Sequence, residues 1–165
     1  MIKFVNQEQI EPYLDLLAEV EHTALNRSNP AHEQWLRRRV SSFFSRGAVF
    51  LALHEDEDPN EMIGIISVLH DEAPEGIDSW GARAEVLQIG VSKNYRRRGA
   101  GSLLLQQAQQ YARDRGAYCL FMMTYAEDYD VIAFYGKNGF IPVATIPDVF
   151  GPGLEGNVVL RKIIG

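Results

Sequence analysis

The chain has 165 residues, of which 46% are hydrophobic and 23% are charged, a composition typical of a globular protein with a sizeable core. Its formal net charge of −6 argues against a nucleic-acid partner, because phosphate contacts dominate such binding, and it is compatible with attraction of a cationic amine. The apolar runs are too short to span a bilayer, and residues 1–6 lack the apolar segment of a signal peptide. The single cysteine, Cys119, cannot form an internal disulfide bond. We therefore predict one cytoplasmic domain over residues 1–165.

Hydrophobic periodicity and turn residues divide the chain into predicted strands and helices. In chain order these are strand Ile2–Val5, helices Glu8–Leu25 and Ala31–Ser45, strands Ala48–Leu53, Met62–Leu69 and Val86–Val91, a helix opened by Gly99–Ser102 and closed by Gly116, strand Tyr118–Tyr125, helix Tyr129–Asn138, and strands Phe140–Thr145 and Asn157–Ile163. The order β-α-α-β-β-β-α-β-α-β-β predicts a mixed sheet covered by helices. The strands on either side of the central helix should be parallel neighbours joined by a right-handed crossover.

Three side-chain environments follow from the same patterns. The strand Tyr118–Tyr125 is apolar enough to be buried on both faces, so we predict that Met122 and Met123 belong to the core. Cys119 is predicted to be a core residue, with a catalytic thiol as the alternative. The basic residues Arg37–Arg39 are predicted to be solvated, and a nucleic-acid patch is the alternative that the acidic chain disfavours.

The stretch Val86–Gln109 is predicted to form a strand, a basic turn and a helix. The β-branched residues Ile89 and Val91 suit a half-buried strand, and Gly90 between them marks a bulge or a close backbone approach. A helix start presents about four unpaired N–H groups and a partial charge of roughly +0.5. Glycines at that point let an anion approach the backbone, so the helix start predicts a site for phosphate or pyrophosphate.

The residues of this turn can be compared with the known phosphate-binding motifs. A Walker A loop requires a lysine after Gly101, and a dinucleotide fingerprint requires a glycine where Leu104 stands. The pattern that fits is Arg/Gln-x-x-Gly-x-Gly/Ala, which is met by residues 96–101, and a solvated basic turn is the alternative. Here the chain resembles the GCN5-related N-acetyltransferases (GNAT family). Over nearly the whole chain, the predicted element order is similar to the GNAT fold, a mixed, mostly antiparallel α/β sheet with a central β-α-β unit.

The resemblance implies a set of residues that hold acetyl-CoA. Its pyrophosphate would lie on the loop, and its pantetheine arm would pair with backbone groups of the preceding strand at a bulge. The residues implied are Ile89, Gly90, Val91, Arg96, Arg97, Arg98, Gly99, Ala100, Gly101 and Ser102.

A second motif lies at Asp128–Phe140 and looks like the family pattern Asn-x-x-Ala-x-x-Phe-Tyr-x-x-x-Gly-Phe. Asp128 occupies the Asn position, which puts a side-chain amide contact to the cofactor in doubt. The resemblance makes Tyr135 the candidate general acid, whose phenol would protonate the departing CoA thiolate. The alternative is that Tyr135 is an amphipathic core residue of a short helix.

Glu85 begins the central strand and shares a face with Leu87 and Ile89 by alternation. A carboxylate among apolar neighbours is a better base than a solvated one, because desolvation disfavours its charge. Glu85 is therefore the candidate base for deprotonating an ammonium group, as in lysine-acetylating members of the family. The alternative is that Glu85 is an ordinary strand-start glutamate that faces water. An enzyme of this kind does not require a single base, because positioning of the reactants alone can supply much of the rate.

Three functional classes remain open from the sequence. The first is an N-acetyltransferase that moves an acetyl group from acetyl-CoA to a primary amine by direct attack in a ternary complex, with a small amine, an antibiotic, a peptide N-terminus or a lysine as the acceptor. The second is a non-catalytic acyl-CoA-binding sensor, and the third is a nucleic-acid-binding protein. The acceptor would be bound by the first helix turn and the loops Asp71–Ala82 and Pro147–Gly156. The histidines do not have the spacing of metal ligands. We expect no nucleic-acid or membrane partner. The resemblance to the family makes a homodimer possible.

Overall fold

The computed structural model describes residues 1–20, 26–71, 82–148, 151–153 and 156–165. Its strands are β1 Ile2–Val5, β2 Val49–His54, β3 Met62–Asp71, β4 Arg83–Val91, β5 Cys119–Tyr125, β6 Ile141–Ile146 and β7 Asn157–Ile163. Its helices are α1 Leu14–Val20, α2 Pro30–Ser45, α3 Ala100–Arg113 and α4 Tyr129–Lys137, with 3-10 turns at Gln7–Gln9, Glu11–Tyr13 and Lys93–Tyr95. Across the described ranges, these strands form a seven-stranded sheet in the order β1-β2-β3-β4-β5-β7-β6.

The sheet confirms the predicted fold class. The ladders β1–β2, β2–β3, β5–β7 and β6–β7 are antiparallel. The β4–β5 ladder is parallel and pairs Arg83–Val86 with Cys119–Met122, as a right-handed crossover through α3 requires. The predicted order of elements is confirmed.

The predicted helix Glu8–Leu25 is replaced by shorter elements. Asn6 and Gln9 form a reciprocal capping box around the first 3-10 turn, and Pro12 stands inside the second. Because proline has no N–H to donate, a regular helix begins only afterwards, at Leu14. Residues 21–25 lie outside the described ranges. The other predicted bounds agree with the structure to within three residues, and those of β1 and β7 are identical.

The chain divides into two compact units. The first consists of Met1–Leu69 and Leu87–Ala108. Its core is built from α1, α2 and the first strands, with Leu14, Leu17, Leu36, Val40, Phe50 and Ile65 at 3% exposure or less. Helix α2 begins with Pro30 after an Asn29 side-chain cap, whose Oδ1 accepts from the Ala31 N–H at 3.0 Å.

The second unit consists of His70–Val86 and Gln109–Gly165. One face of its strands is closely packed, since Ala84, Leu120 and Leu160 are 0% exposed. Met122 lies on this face and is a core residue, as predicted, at 3% exposure. Met123 is 49% exposed, so the prediction that β5 is buried on both faces is wrong. The apolar run was sufficient for a strand but did not reveal that its second face is partly exposed.

Ion pairs join the segment before α1 to α2 within the first unit. Arg27 contacts Asp15 at 2.6 Å and Glu33 at 2.8 Å, and Arg37 contacts Glu11 at 2.6 Å and Glu33 at 2.7 Å. Hydrogen bonds from Arg27 first, and from Arg37 as well, lower the pKa of Glu33 to about 2. Arg37 is exposed, as predicted, but its two ion pairs were not predicted from the sequence. Its charge is offset by two carboxylates, which weakens the nucleic-acid alternative.

Gly90 lies where α1 approaches β4. A Cβ atom at this position would lie 2.3 Å from Val20 Cγ2 and 3.7 Å from the Leu16 carbonyl oxygen. The sequence predicts a bulge or a close backbone approach at Gly90, and the group that lies close in the structure is instead the side chain of Val20. The β-branched Val20 has a stiff χ1 and cannot readily turn aside.

We expect Gly90→Ala to lower the free energy of unfolding by about 1–3 kcal/mol, because the added methyl overpacks this contact. Gly136→Ala is a matched control. It lies in α4, where a Cβ meets nothing within 4 Å, and alanine should raise stability by about 0.5–1 kcal/mol. Urea denaturation measures both. Adding Val20→Ala to Gly90→Ala should recover part of the loss, whereas an unchanged stability of Gly90→Ala would contradict the close contact.

His54 is a buried titratable group at the end of β2. It is 5% exposed, and its Nε2 shares a 3.0 Å hydrogen bond with the Tyr13 hydroxyl. Burial, followed by the positive charge of Lys3, lowers the pKa of His54 below its ordinary value. The folded chain therefore resists protonation at a pH where the unfolded chain accepts a proton.

This shift predicts that stability falls with acidification. Above the unfolded pKa of about 6.5, His54 is neutral in both states and contributes no pH dependence. Below that pH the unfolded state binds the extra proton, so the free energy of unfolding decreases. We expect a smaller decrease between pH 7 and pH 5 in His54→Gln, measured by urea denaturation at each pH. Parallel curves for the two proteins would contradict the assignment.

Candidate functional site

The turn before α3 has an unusual backbone. Arg96 is extended at φ −65° and ψ 151°, Arg97 has φ +59° and Gly99 has φ +86°. Turns that enter the left-handed region can direct successive backbone N–H groups toward one side, as in an anion-binding concavity. Arg97 adopts the left-handed region without the advantage of glycine, a strain typical of functional loops.

Helix α3 continues this concavity. The Leu103 N–H donates to the Gly99 carbonyl at 3.0 Å, so the amides of Ala100, Gly101 and Ser102 precede the first intrahelical hydrogen bond and have no partner inside the helix. The helix dipole adds a partial charge of roughly +0.5 at the same place. The predicted helix mouth therefore has the geometry and polarity to receive a diphosphate.

The three arginines of the turn are placed differently. Arg96 Nε donates to the Val91 carbonyl at 3.0 Å, and its guanidinium lies 3.7 Å from the Glu19 carboxylate. It therefore links the end of β4 to the turn and to α1. Arg97 and Arg98 are exposed, and the Arg98 guanidinium lies 6.0 Å from the centre of the Tyr95 ring.

Sequence reasoning did not single out Tyr95. Burial of its hydroxyl, followed by the negative charges of Glu61 and Glu55, raises the pKa of Tyr95 above its ordinary value. Tyr95 therefore links the β2–β3 connection to the turn that carries Arg98. An aromatic residue inside a basic turn is the signal that could have drawn attention to it.

The last residues of β4 present their backbone groups to two different edges. The Ser92 N–H donates to the Ile63 carbonyl at 2.9 Å, and the Gly90 carbonyl oxygen would lie 2.7 Å from a Cβ at Gly64. Both therefore face β3. Because backbone direction alternates along a strand, the backbone groups of Ile89 and Val91 face away from β3. This is the edge on which their predicted pairing with a ligand would take place.

Glu85 lies on β4 directly opposite Phe121 of β5. It is half-buried, as are Leu87 and Ile89, whereas Ala84, Val86 and Gln88 are buried. The alternation confirms that Glu85 shares a face with Leu87 and Ile89.

Tyr135 is enclosed in the second unit. It is 3% exposed, and its ring centre lies 5.0 Å from that of Phe134 and 5.8 Å from that of Phe140. Burial, and then the negative charge of Asp128, raises the pKa of Tyr135 well above its ordinary value. Its phenol is therefore protonated at neutral pH, which is the form that a general acid needs. Asp128 precedes α4, and its side chain does not cap the helix.

The candidate residues fall on both compact units. Ile89–Val91 and Arg96–Ser102 belong to the first unit, and Glu85, Asp128 and Tyr135 belong to the second. Most of the loop residues proposed to bind the acceptor, 72–81, 149–150 and 154–155, lie outside the described ranges. Asp71 is described and contacts Arg83 at 3.0 Å.

Cys119 is the single cysteine of the chain. Burial raises the pKa of the Cys119 thiol, which supports its role as a core residue. Among the residues that the structure describes, no group of three or more His, Cys, Asp or Glu side chains could hold a metal ion. None of the described helices combines the length and apolar character needed to cross a membrane.

Comparison with known proteins decides the family. The family model for the acetyltransferase (GNAT) family matches residues 10–140. The chain belongs to the GNAT acetyltransferase family. The matched range contains the loop Arg96–Gly101 and the motif Asp128–Phe140, so the resemblance drawn from these two segments is confirmed.

Relatives of this GNAT chain carry several specificities. It is 38% identical over 87 residues to the tRNA(Met) cytidine acetyltransferase TmcA of Aeropyrum pernix, a match that covers 53% of this chain and 11% of that protein. The match covers about a tenth of the length of this relative and about a third of the length of a second curated relative.

Solved structures of GNAT enzymes share the fold over the full chain. The ribosomal-protein-S18-alanine N-acetyltransferase of Escherichia coli has a TM-score of 0.74 at 16% identity, covering 100% of this chain and 94% of that chain. An aminoglycoside 6'-N-acetyltransferase complexed with coenzyme A has a TM-score of 0.71 at 16% identity, covering 100% and 97%. These likenesses show the fold, and the acceptor must be argued from this chain's own residues.

Proposed function

We propose that the chain is an acetyl-CoA-dependent N-acetyltransferase that transfers an acetyl group to a primary amine in a ternary complex. The observation that carries the proposal is the concavity of amides at Gly99–Ser102, in a chain of the GNAT family. A diphosphate would receive hydrogen bonds from these amides, and the exposed Arg97 and Arg98 would add charge-assisted contacts.

The strand edge beside this loop suits the rest of the cofactor. The backbone groups of Ile89 and Val91 face away from β3, so an extended pantetheine arm could pair with them as an additional strand would. The Val91 carbonyl already accepts a hydrogen bond from Arg96, so the Ile89 groups and the Val91 N–H are the proposed contacts. A backbone N–H of the same strand would polarise the thioester carbonyl as negative charge develops.

The transfer itself needs three proton movements. Glu85 accepts a proton from the acceptor ammonium, directly or through a water molecule, and leaves a neutral amine. The amine nitrogen forms a bond to the thioester carbonyl carbon and loses its second proton to solvent, and the carbon–sulfur bond then breaks. Tyr135 donates its phenolic proton to the departing thiolate. The half-buried position of Glu85 and the protonated state of Tyr135 support these roles, which remain proposals based on the family motif.

One prediction of this proposal concerns the loop that contains Gly101. Gly101→Asp should weaken CoA binding by at least about 100-fold, because a carboxylate beside the diphosphate costs several kcal/mol in like-charge repulsion. The fold should persist, since an acidic residue in the first turn of a helix is favourable. Titration calorimetry with CoA measures the affinity.

Gly136→Asp is the matched control, since it makes the same change in α4, where an added Cβ meets nothing within 4 Å. CoA affinity should be unaltered in this control. If Gly101→Asp bound CoA as tightly as the unmodified protein, the loop assignment would be wrong.

The second prediction concerns the general acid. Tyr135→Phe should lower turnover by about 10²-fold or more while leaving CoA affinity within about twofold, because only the proton donor is removed and the aromatic packing is kept. Release of thiol from acetyl-CoA in the presence of primary amines measures turnover.

Tyr129→Phe serves as control, since Tyr129 begins the same helix and is 76% exposed, and it should retain full turnover. Equal losses of affinity and turnover in Tyr135→Phe would indicate a packing role. Binding of acetyl-CoA by the unmodified protein without thiol release for any amine would favour a sensor module over an enzyme.

A further inference from the structure

Glu85 belongs to a row of side chains that crosses the strands of the second unit. It pairs with Phe121 of β5, which pairs with Arg161 of β7, which in turn pairs with Ile141 of β6. Side chains of directly paired residues project from the same face of a sheet. Glu85 and Arg161 therefore flank Phe121 on one face, about 10 Å apart at two strand spacings.

This face is the more exposed of the two. Ile141 and Ile163 are each 54% exposed and Met123 is 49% exposed, although Cys119 on the same face is fully buried. On the opposite face Ala84, Leu120 and Leu160 are all fully buried. An exposed apolar surface that is bordered by charged residues is typical of a binding site.

Arg161 carries the observation that points to a ligand. Its Nε is buried and has no hydrogen-bond partner in the part of the chain that the structure describes. A buried donor without an acceptor is costly, and a catalytic role or a bound water molecule or ion is among the reasons for such a group in a native protein. The neighbouring cations differ: Arg83 is paired with Asp71, and the Lys162 side chain lies against Gly139.

We propose that this face is the acceptor subsite and that it selects an acceptor with both an amine and a carboxylate. The amine lies at Glu85, an apolar or aromatic body covers Phe121, and the carboxylate accepts charge-assisted hydrogen bonds from the guanidinium of the half-buried Arg161. The inference rests on the proposed function for the role of Glu85. The distance of two strand spacings corresponds to about three extended peptide residues at 3.3–3.6 Å each. Fewer residues are needed when the side chains of Glu85 and Arg161 lean toward each other. The acceptor class is thus a short peptide with a free amino end and a carboxylate two or three residues away.

Matched acceptors test this inference in the unmodified protein. The probes are Phe, Gly-Phe and Gly-Gly-Phe, each compared with its C-terminal amide, together with spermidine as an amine without an anionic group. Thiol release from acetyl-CoA gives kcat/KM. We expect the acid forms of the two peptides to exceed their amides by at least about tenfold, since a charge-assisted hydrogen bond is lost in the amide. Free Phe should show a smaller preference.

Variants assign the preference to Arg161. In Arg161→Leu the ratio of kcat/KM for acid and amide should fall to about one, and Arg161→Lys should retain part of it because the charge is kept. Lys162→Gln removes the adjacent cation and should preserve the ratio. If Arg161→Leu fails to fold, the ratio of kcat/KM for acid and amide acceptors in the unmodified protein still tests the inference.

The outcomes separate the two proposals. Thiol release with equal kcat/KM for acids and amides, or a preference for spermidine, would overturn the acceptor inference and leave the acetyltransferase intact. Retention of the acid preference in Arg161→Leu would also overturn it. No thiol release with any amine would overturn the proposed function, and the acceptor inference with it.

Discussion

The structure depends first on backbone amides at the start of α3 that have no hydrogen-bond partner inside the helix. Arg97 and Gly99 turn the chain into the left-handed region, and the first intrahelical hydrogen bond comes only at Leu103. These N–H groups are therefore available to an anion, at the positive end of the helix dipole. In the proposed mode of binding the interaction is made by the backbone, so the side chains need only avoid blocking it, which suits the small residues Gly99, Ala100 and Gly101.

Two further features of the first unit place this site. The Arg96 guanidinium holds the Val91 carbonyl and lies near Glu19, so the strand end, the turn and α1 are connected by one side chain. Gly64 and Gly90 allow close approach of neighbouring groups, since Leu104 of α3 lies 2.9 Å from a Cβ at Gly64 and Val20 of α1 lies 2.3 Å from a Cβ at Gly90. Glycine at these positions lets the helices pack directly on the strands that lead to the loop.

Much of this architecture could be predicted from the sequence, because it follows from local patterns. The periodic apolar residues of α3 and the αL cap at Gly116, with φ +78°, define the helix, and alternation along β4 placed Glu85 beside Leu87 and Ile89. Gly90 indicated a close approach, although only the fold reveals that Val20 is the neighbour. Features that depend on tertiary context were missed: Pro12 delays α1, Met123 faces outward, and Arg37 pairs with Glu11 and Glu33. The buried Nε of Arg161 depends on the register of three strands, which no local pattern contains.

The family and the fold leave the acceptor open, and the more exposed face of β5–β7 is the feature of this chain that can narrow it. The central claim, that amides at the mouth of α3 hold the diphosphate of acetyl-CoA, is tested most directly by an amide NMR titration. On addition of CoA, the ¹H–¹⁵N resonances of Gly99, Ala100, Gly101 and Ser102 should show the largest downfield proton shifts, and pantetheine, which lacks the diphosphate, should not produce them. Shifts of equal size with pantetheine, or CoA-induced shifts that leave these four amides unchanged, would contradict the account.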